Sequence, residues 1–153
     1  MAITAPLSKY KKQTYLIWMA ILIGFGVYCV YDGYFNDGFK AKHSDAEGNP
    51  DSTLIFNQKA PPYLIGAGVA IGIYFFTISG RKIVAENNEL IINDRGKIAY
   101  DSIEKIDKTN FKSKGYFVIT YKDTGGREVN RKISGRIYDN LEALLNEIVS
   151  KIS

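Results

Sequence analysis

Two stretches without a formal charge, residues 13–31 and 60–80, interrupt a chain that is otherwise polar and mixed in sign. As α-helices rising about 1.5 Å per residue they would extend roughly 28 and 31 Å, close to the ~30 Å hydrocarbon thickness of a bilayer. The pattern therefore predicts transmembrane helices over 13–34 and 61–80. It leaves 1–12 as an N-terminal segment, 35–60 as a loop expected to be irregular or to lie on a partner, and 81–153 as a folded domain.

Beyond residue 81 the apolar positions alternate in short runs broken by turn residues, the period-2 signature of half-buried strands. Five strands are legible, in KIVAEN, ELIIND, KIAYDSIEKI (with a kink), GYFVITYKD and REVNRKIS. The DTGG turn at Asp123, Thr124, Gly125 and Gly126 is the strongest hairpin signal. In YDNLEALLNEIVSKI the period changes again. Leu141, Leu144, Leu145, Ile148, Val149 and Ile152 share one helical face, opposite Glu142, Asn146, Glu147 and Lys151. Asp139 is the expected N-cap, with Glu142 completing a capping-box pattern. Because the polar face carries acids as well as Lys151, this helix is expected to pack on the sheet and not to lie in a membrane interface.

Charge sets a direction for the two spans. Lys9, Lys11 and Lys12 precede the first, and Arg81 and Lys82 follow the second. The loop between them sets Asp32, Asp37, Asp45, Glu47 and Asp51 against Lys40, Lys42 and Lys59. Excess Lys and Arg beside span ends marks the cytoplasmic side, so both termini are expected in the cytoplasm, with these five cations as membrane anchors. Tyr10, Tyr15 and Trp18 near the inner end, and Tyr28, Tyr31, Tyr34, Phe35 and Tyr63 near the outer end, suit the headgroup zones. Pro61 and Pro62 suit a helix start. The first apolar run is too long for a signal peptide and lacks a small-residue cleavage site, so it is read as retained.

Small residues mark a packing face. Gly68 and Gly72 form a G-x-x-x-G pair with Gly66 nearby, and Ala20 and Gly24 form a similar pair in the first span. In lipid such residues let backbones approach closely. Packing within the hairpin, contact with a helix of another membrane protein, and no special role, glycine being common in membrane helices, are all open readings.

Composition adds little chemistry. The net charge of +4 is too mild for a nucleic-acid binder. The single cysteine, Cys29, excludes an intrachain disulfide. The single histidine, His43, has no companion ligands for zinc. DAEGNPD alternates oxygen ligands but places Pro50 where a calcium loop needs glycine and Phe56 where it needs glutamate. No phosphate loop, dinucleotide fingerprint or nucleophile elbow is present, and no charge lies within the two runs to serve a transport path. No enzyme, metal or cofactor is expected. Lys105, Lys108, Lys112 and Lys114, with Arg127, Arg131, Lys132 and Arg136, form a basic set. It reads either as a solvated face or as a surface for anionic lipid or a partner.

The Ile98-Ala99-Tyr100 strand leads into Asp101-Ser102-Ile103-Glu104-Lys105-Ile106, followed by the strand at 115–123, its glycine turn and the C-terminal helix. Together these resemble the pleckstrin-homology-like (PH-like) domains found behind membrane spans in bacterial proteins. The resemblance implies a membrane protein with a two-helix transmembrane hairpin followed by a small α+β PH-like domain, its antiparallel strands closed by a C-terminal helix. Five strands imply a reduced or partly open version. Phosphoinositide-binding members use a basic early turn; here that turn offers only Arg95 and Lys97. The expected protein is a non-enzymatic adaptor or accessory subunit of the bacterial inner membrane. Its expected partners are membrane lipids and other integral membrane proteins or further copies of itself. A module that binds anionic lipid is the alternative.

Overall fold

The computed structural model describes residues 2–93 and 96–152. Arg95, in the early basic turn, lies outside the described residues. The chain starts with strand β1 (Ile3–Pro6) and helix α1 (Lys9–Val30), which continues as a π-helical turn (Tyr31–Phe35). Helices α2 (Asp37–Lys42), α3 (Ser52–Lys59) and α4 (Pro61–Ser79) follow. Next come strands β2 (Lys82–Ala85), β3 (Glu89–Ile92) and β4 (Gly96–Ala99), a 3-10 turn (Tyr100–Ser102), and β5 (Ile103–Asp107). The short helix α5 (Phe111–Lys114), strands β6 (Tyr116–Lys122) and β7 (Glu128–Ser134), and helix α6 (Leu141–Ile152) complete the order. Two compact units result: Met1–Lys12 with Ile78–Ser153, and Gln13–Thr77.

The first unit is a sheet domain built from both ends of the chain. Strands β1-β2-β3-β4 form one antiparallel sheet and β5-β6-β7 a second. Among the described residues there are therefore seven strands, not the five legible in the sequence. One addition is β1, whose partners run from Ile3↔Ala85 to Pro6↔Lys82. The segment 1–12 is thus part of the domain and not a separate leader to the first helix. A strand of four residues with a proline gives almost no periodic signal, and Pro6 is tolerated because β1 is an edge strand. The other addition comes from KIAYDSIEKI, which is two strands. Its kink is the Tyr100–Ser102 turn, and the chain there passes from the first sheet to the second.

The core explains why this arrangement holds. Ala5, Ile83, Ala85, Leu90, Ile92 and Ile98 from the first sheet meet Phe117, Ile119 and Ile133 from the second. Leu141, Leu144, Leu145 and Ile148 of α6 complete the cluster, so the amphipathic helix covers the sheets with its apolar face. Tyr100 buries its ring in the same core and donates its hydroxyl to the Glu86 carbonyl at 2.9 Å. Burial, with Glu147 and Glu86 nearby, pushes that phenol up to about 12.

Asp139 does not cap α6. Asn140, with φ of 60°, is the residue before Leu141, which leaves Asp139 one position too early. Its carboxylate instead accepts from the backbone N–H of Lys9 at 2.9 Å, at the start of α1. Ser8 completes that N-terminus by accepting from the Lys11 N–H at 3.1 Å.

The second unit is helical. Its two long helical stretches, Lys9–Phe35 and Ser52–Ser79, are each long and apolar enough to cross a membrane. Residues 35–60 are not irregular. Asn36 caps α2 by accepting from the Phe39 N–H, and Asp51 caps α3 by accepting from the Thr53 and Leu54 N–H groups. A Ser44↔Pro50 bridge closes the turn between them. The polar composition that suggested a loop is that of short capped helices. Pro61 and Pro62 interrupt the backbone ladder between α3 and α4, and the Ala60 carbonyl accepts from Tyr63 and Leu64 instead.

Candidate functional site

Three features of the surface could carry function: the sides of the long helices, the polar cap that joins their far ends, and the basic half of the sheet domain. On the helices, close packing follows only some of the expected small residues. A Cβ on Gly68 would stand 2.6 Å from Ile23 Cγ1, and one on Gly72 would stand 3.0 Å from Met19 Sδ. Gly26 has the same relation to Ile65 Cγ1, at 2.6 Å. The seam therefore runs through Met19, Ile23 and Gly26 on α1 and Ile65, Gly68 and Gly72 on α4.

Gly24 and Gly66 have nothing within 4 Å of an added Cβ, and Ala20 is exposed. Residues two apart lie on different sides of a helix. Gly66 cannot share the Gly68 face, and Gly24 cannot share the Gly26 face. The seam covers little of the helices. Only 11% of the most apolar window of the first and 17% of that of the second is buried. Ile17, Trp18, Ile21, Ile73 and Phe76 are all more than half exposed.

The cap contains a feature that sequence reading passed over. Asp32, taken as an ordinary loop acid, is buried in the π-turn and accepts from Asn36 Nδ2 at 2.8 Å. The turn is fixed to α3 on both sides. Gln58 Nε2 donates to the Gly33 carbonyl at 3.1 Å, and the Tyr34 hydroxyl donates to the Gln58 carbonyl at 2.9 Å. A Cβ on Gly33 would meet the Asn57 carbonyl oxygen at 2.8 Å. Just after α2, His43 Nδ1 lies 2.8 Å from Asp51 Oδ2, and its ring packs at a tilt against Phe39, centroids 4.4 Å apart. The Leu54 N–H, then His43, holds the Asp51 carboxyl below its usual range. In DAEGNPD, Asp45 Oδ1 accepts from the Glu47 and Asn49 N–H groups, so the segment is a self-bonded turn. Among the described residues no three His, Cys, Asp or Glu side chains come together as a metal site.

At the base of the helices, Lys9, Arg81 and Lys82 are exposed and Lys11 and Lys12 half-exposed. Around them the backbone is fixed: Leu7 N–H donates to the Arg81 carbonyl at 2.9 Å, and buried Ser8 donates its hydroxyl to the Arg136 carbonyl at 2.9 Å.

All eight cations of the basic set are exposed, and all lie on the chain from β5 onward. They do not form one continuous face. Lys105 opposes Thr120, and Lys132 opposes Val118, as does Asp107 from the other side. The outer surface of the second sheet therefore mixes signs, and Glu104 pairs with Lys122 there at 2.8 Å. Lys132 sits over the Tyr116 ring, 3.8 Å from its centroid. Arg127 pairs with Asp123 within the β6–β7 turn at 3.0 Å. Arg131 is opposite Ile119. Lys108 and Lys112 stand apart from these, beside a groove between α5 and α6.

Comparison with protein-family models, with curated proteins and with solved structures finds no match to the chain.

Proposed function

We propose that this chain is a non-enzymatic, membrane-anchored adaptor or accessory subunit of the bacterial inner membrane. In this reading the two long helices cross the bilayer as a hairpin, and the sheet domain is a PH-like interaction module on the cytoplasmic side. The observation that carries the membrane reading is the outward exposure of large apolar side chains along both helices, with under a fifth of each apolar window buried. In water such surface would be strongly unfavourable, whereas hydrocarbon tails cover it without cost.

Topology supports the placement of both ends on one side. In this reading, the hydrogen-bonded pairing of β1 with β2 supports a chain that leaves and returns on the same face of the membrane. The excess of Lys and Arg at the base favours the cytoplasmic face. Seven strands in sheets of four and three, closed by a C-terminal helix, support the PH-like reading better than the five legible in the sequence.

Crosslinking in intact cells, followed by mild-detergent extraction, tests the adaptor role. A discrete complex is expected. Recovery of the monomer alone from both treatments would exclude it. The lipid-binding alternative is less favoured because acids interleave with the cations on the second sheet.

A further inference from the structure

We propose that the groove between α5 and α6 is a docking site for a partner-protein segment that carries apolar side chains flanked by carboxylates. This rests on the adaptor reading and specifies its surface.

The groove has a volume of about 580 Å³. Its floor is apolar: Leu145 is buried beneath it, and Phe111 and Val149 are half-buried along it. Phe111 is held in place by an edge-on contact with core Phe117, ring centroids 5.9 Å apart, so the floor is preformed. One rim is cationic. Lys108 and Lys112 are exposed there, and among the described residues neither has a carboxylate within salt-bridge reach. The nearest acid along the chain, Asp107, is engaged with the Thr109 N–H at 2.9 Å.

The opposite rim selects among anionic amphiphiles. Glu142 stands there beside Asn146. A lipid phosphate would meet the Glu142 carboxylate, whereas a polypeptide can direct its carboxylates to the lysine side and hydrogen-bond its backbone to the Asn146 amide. Complementary charge then sets orientation and the apolar floor supplies burial.

The test uses the full chain in phosphatidylcholine discs. The probe is a short dye-labelled peptide alternating leucine and glutamate, read by fluorescence anisotropy against its leucine–lysine counterpart. Saturable binding of the acidic peptide alone is expected. Lys108→Glu with Lys112→Glu should weaken it by at least about tenfold. Asn146→Trp, which fills the groove without changing charge, should do the same. Arg131→Glu with Lys132→Glu should leave it unchanged.

Absence of binding overturns the proposal. So does equal loss in the Arg131/Lys132 variant, which would mean charge attraction without a site, or loss of binding when phosphatidylserine is added to the disc, which would mean a lipid surface. Peptide binding without any crosslinked complex in cells would leave the groove standing and remove the adaptor reading. A complex that survives the groove variants would do the reverse.

Discussion

At the scale of single residues, the glycines separate into those that pack and those that do not. Gly33 is the most constrained, because an added Cβ would meet backbone oxygen at 2.8 Å and not a side chain that can rotate away. Overpacking of this kind costs about 1–3 kcal/mol. Gly33→Ala should therefore lower the thermal midpoint of the detergent-solubilised protein. Gly68→Ala should lower it less, since Ile23 can adjust. Gly24→Ala and Gly66→Ala should leave it unchanged or raise it, because alanine is the better helix former and both positions are open. Equal effects at Gly24 and Gly68 would contradict the seam, and equal effects at Gly24 and Gly33 would contradict the tight fit of the π-turn on α3. The G-x-x-x-G spacing made Gly68 and Gly72 legible in the sequence. Gly26 and Gly33 were not, since their partners Ile65 and Asn57 are distant in the chain and no local pattern identifies them.

At the scale of elements, the helices were the most legible because a long uncharged run or a 3.6-residue stripe repeats its signal many times. The strands were legible where alternation persisted. β1 was hidden by its length and by the two long apolar helices that separate it along the chain from its partner β2. The break between β4 and β5 was visible as a kink, but not as a passage between sheets.

This has a direct consequence. A fragment beginning at Lys82 lacks β1, exposing the β2 edge and removing the burial of Ala5 and Leu7. Such a fragment should be poorly soluble and show little protected amide hydrogen exchange. Joining residues 2–8 to 81–152 by a short glycine–serine turn restores the β1–β2 hairpin, and that construction should unfold cooperatively. If the fragment from Lys82 proved as stable as the joined form, the assignment of β1 to the domain would be wrong.

At the scale of the molecule, the two membrane-length helices are an insertion between adjacent strands of one antiparallel sheet. Sequence reading placed the domain after the helices, because order along the chain is all that a pattern conveys. Pairing of β1 with β2 ties the start of α1 and the end of α4 to one domain. The basic set was legible as a count of charges but not as a surface. Strand register interleaves part of it with acids and leaves Lys108 and Lys112 beside the groove.

The reading as a membrane hairpin with an internal domain is tested most directly by cysteine labelling in intact cells. In a Cys29→Ala background, Glu47→Cys reports the turn between α2 and α3, and Thr124→Cys reports the turn between β6 and β7. Both native side chains are exposed. With a membrane-impermeant maleimide, Glu47→Cys should react in intact cells and Thr124→Cys only after lysis. Equal reactivity of the two positions in intact cells would contradict the account.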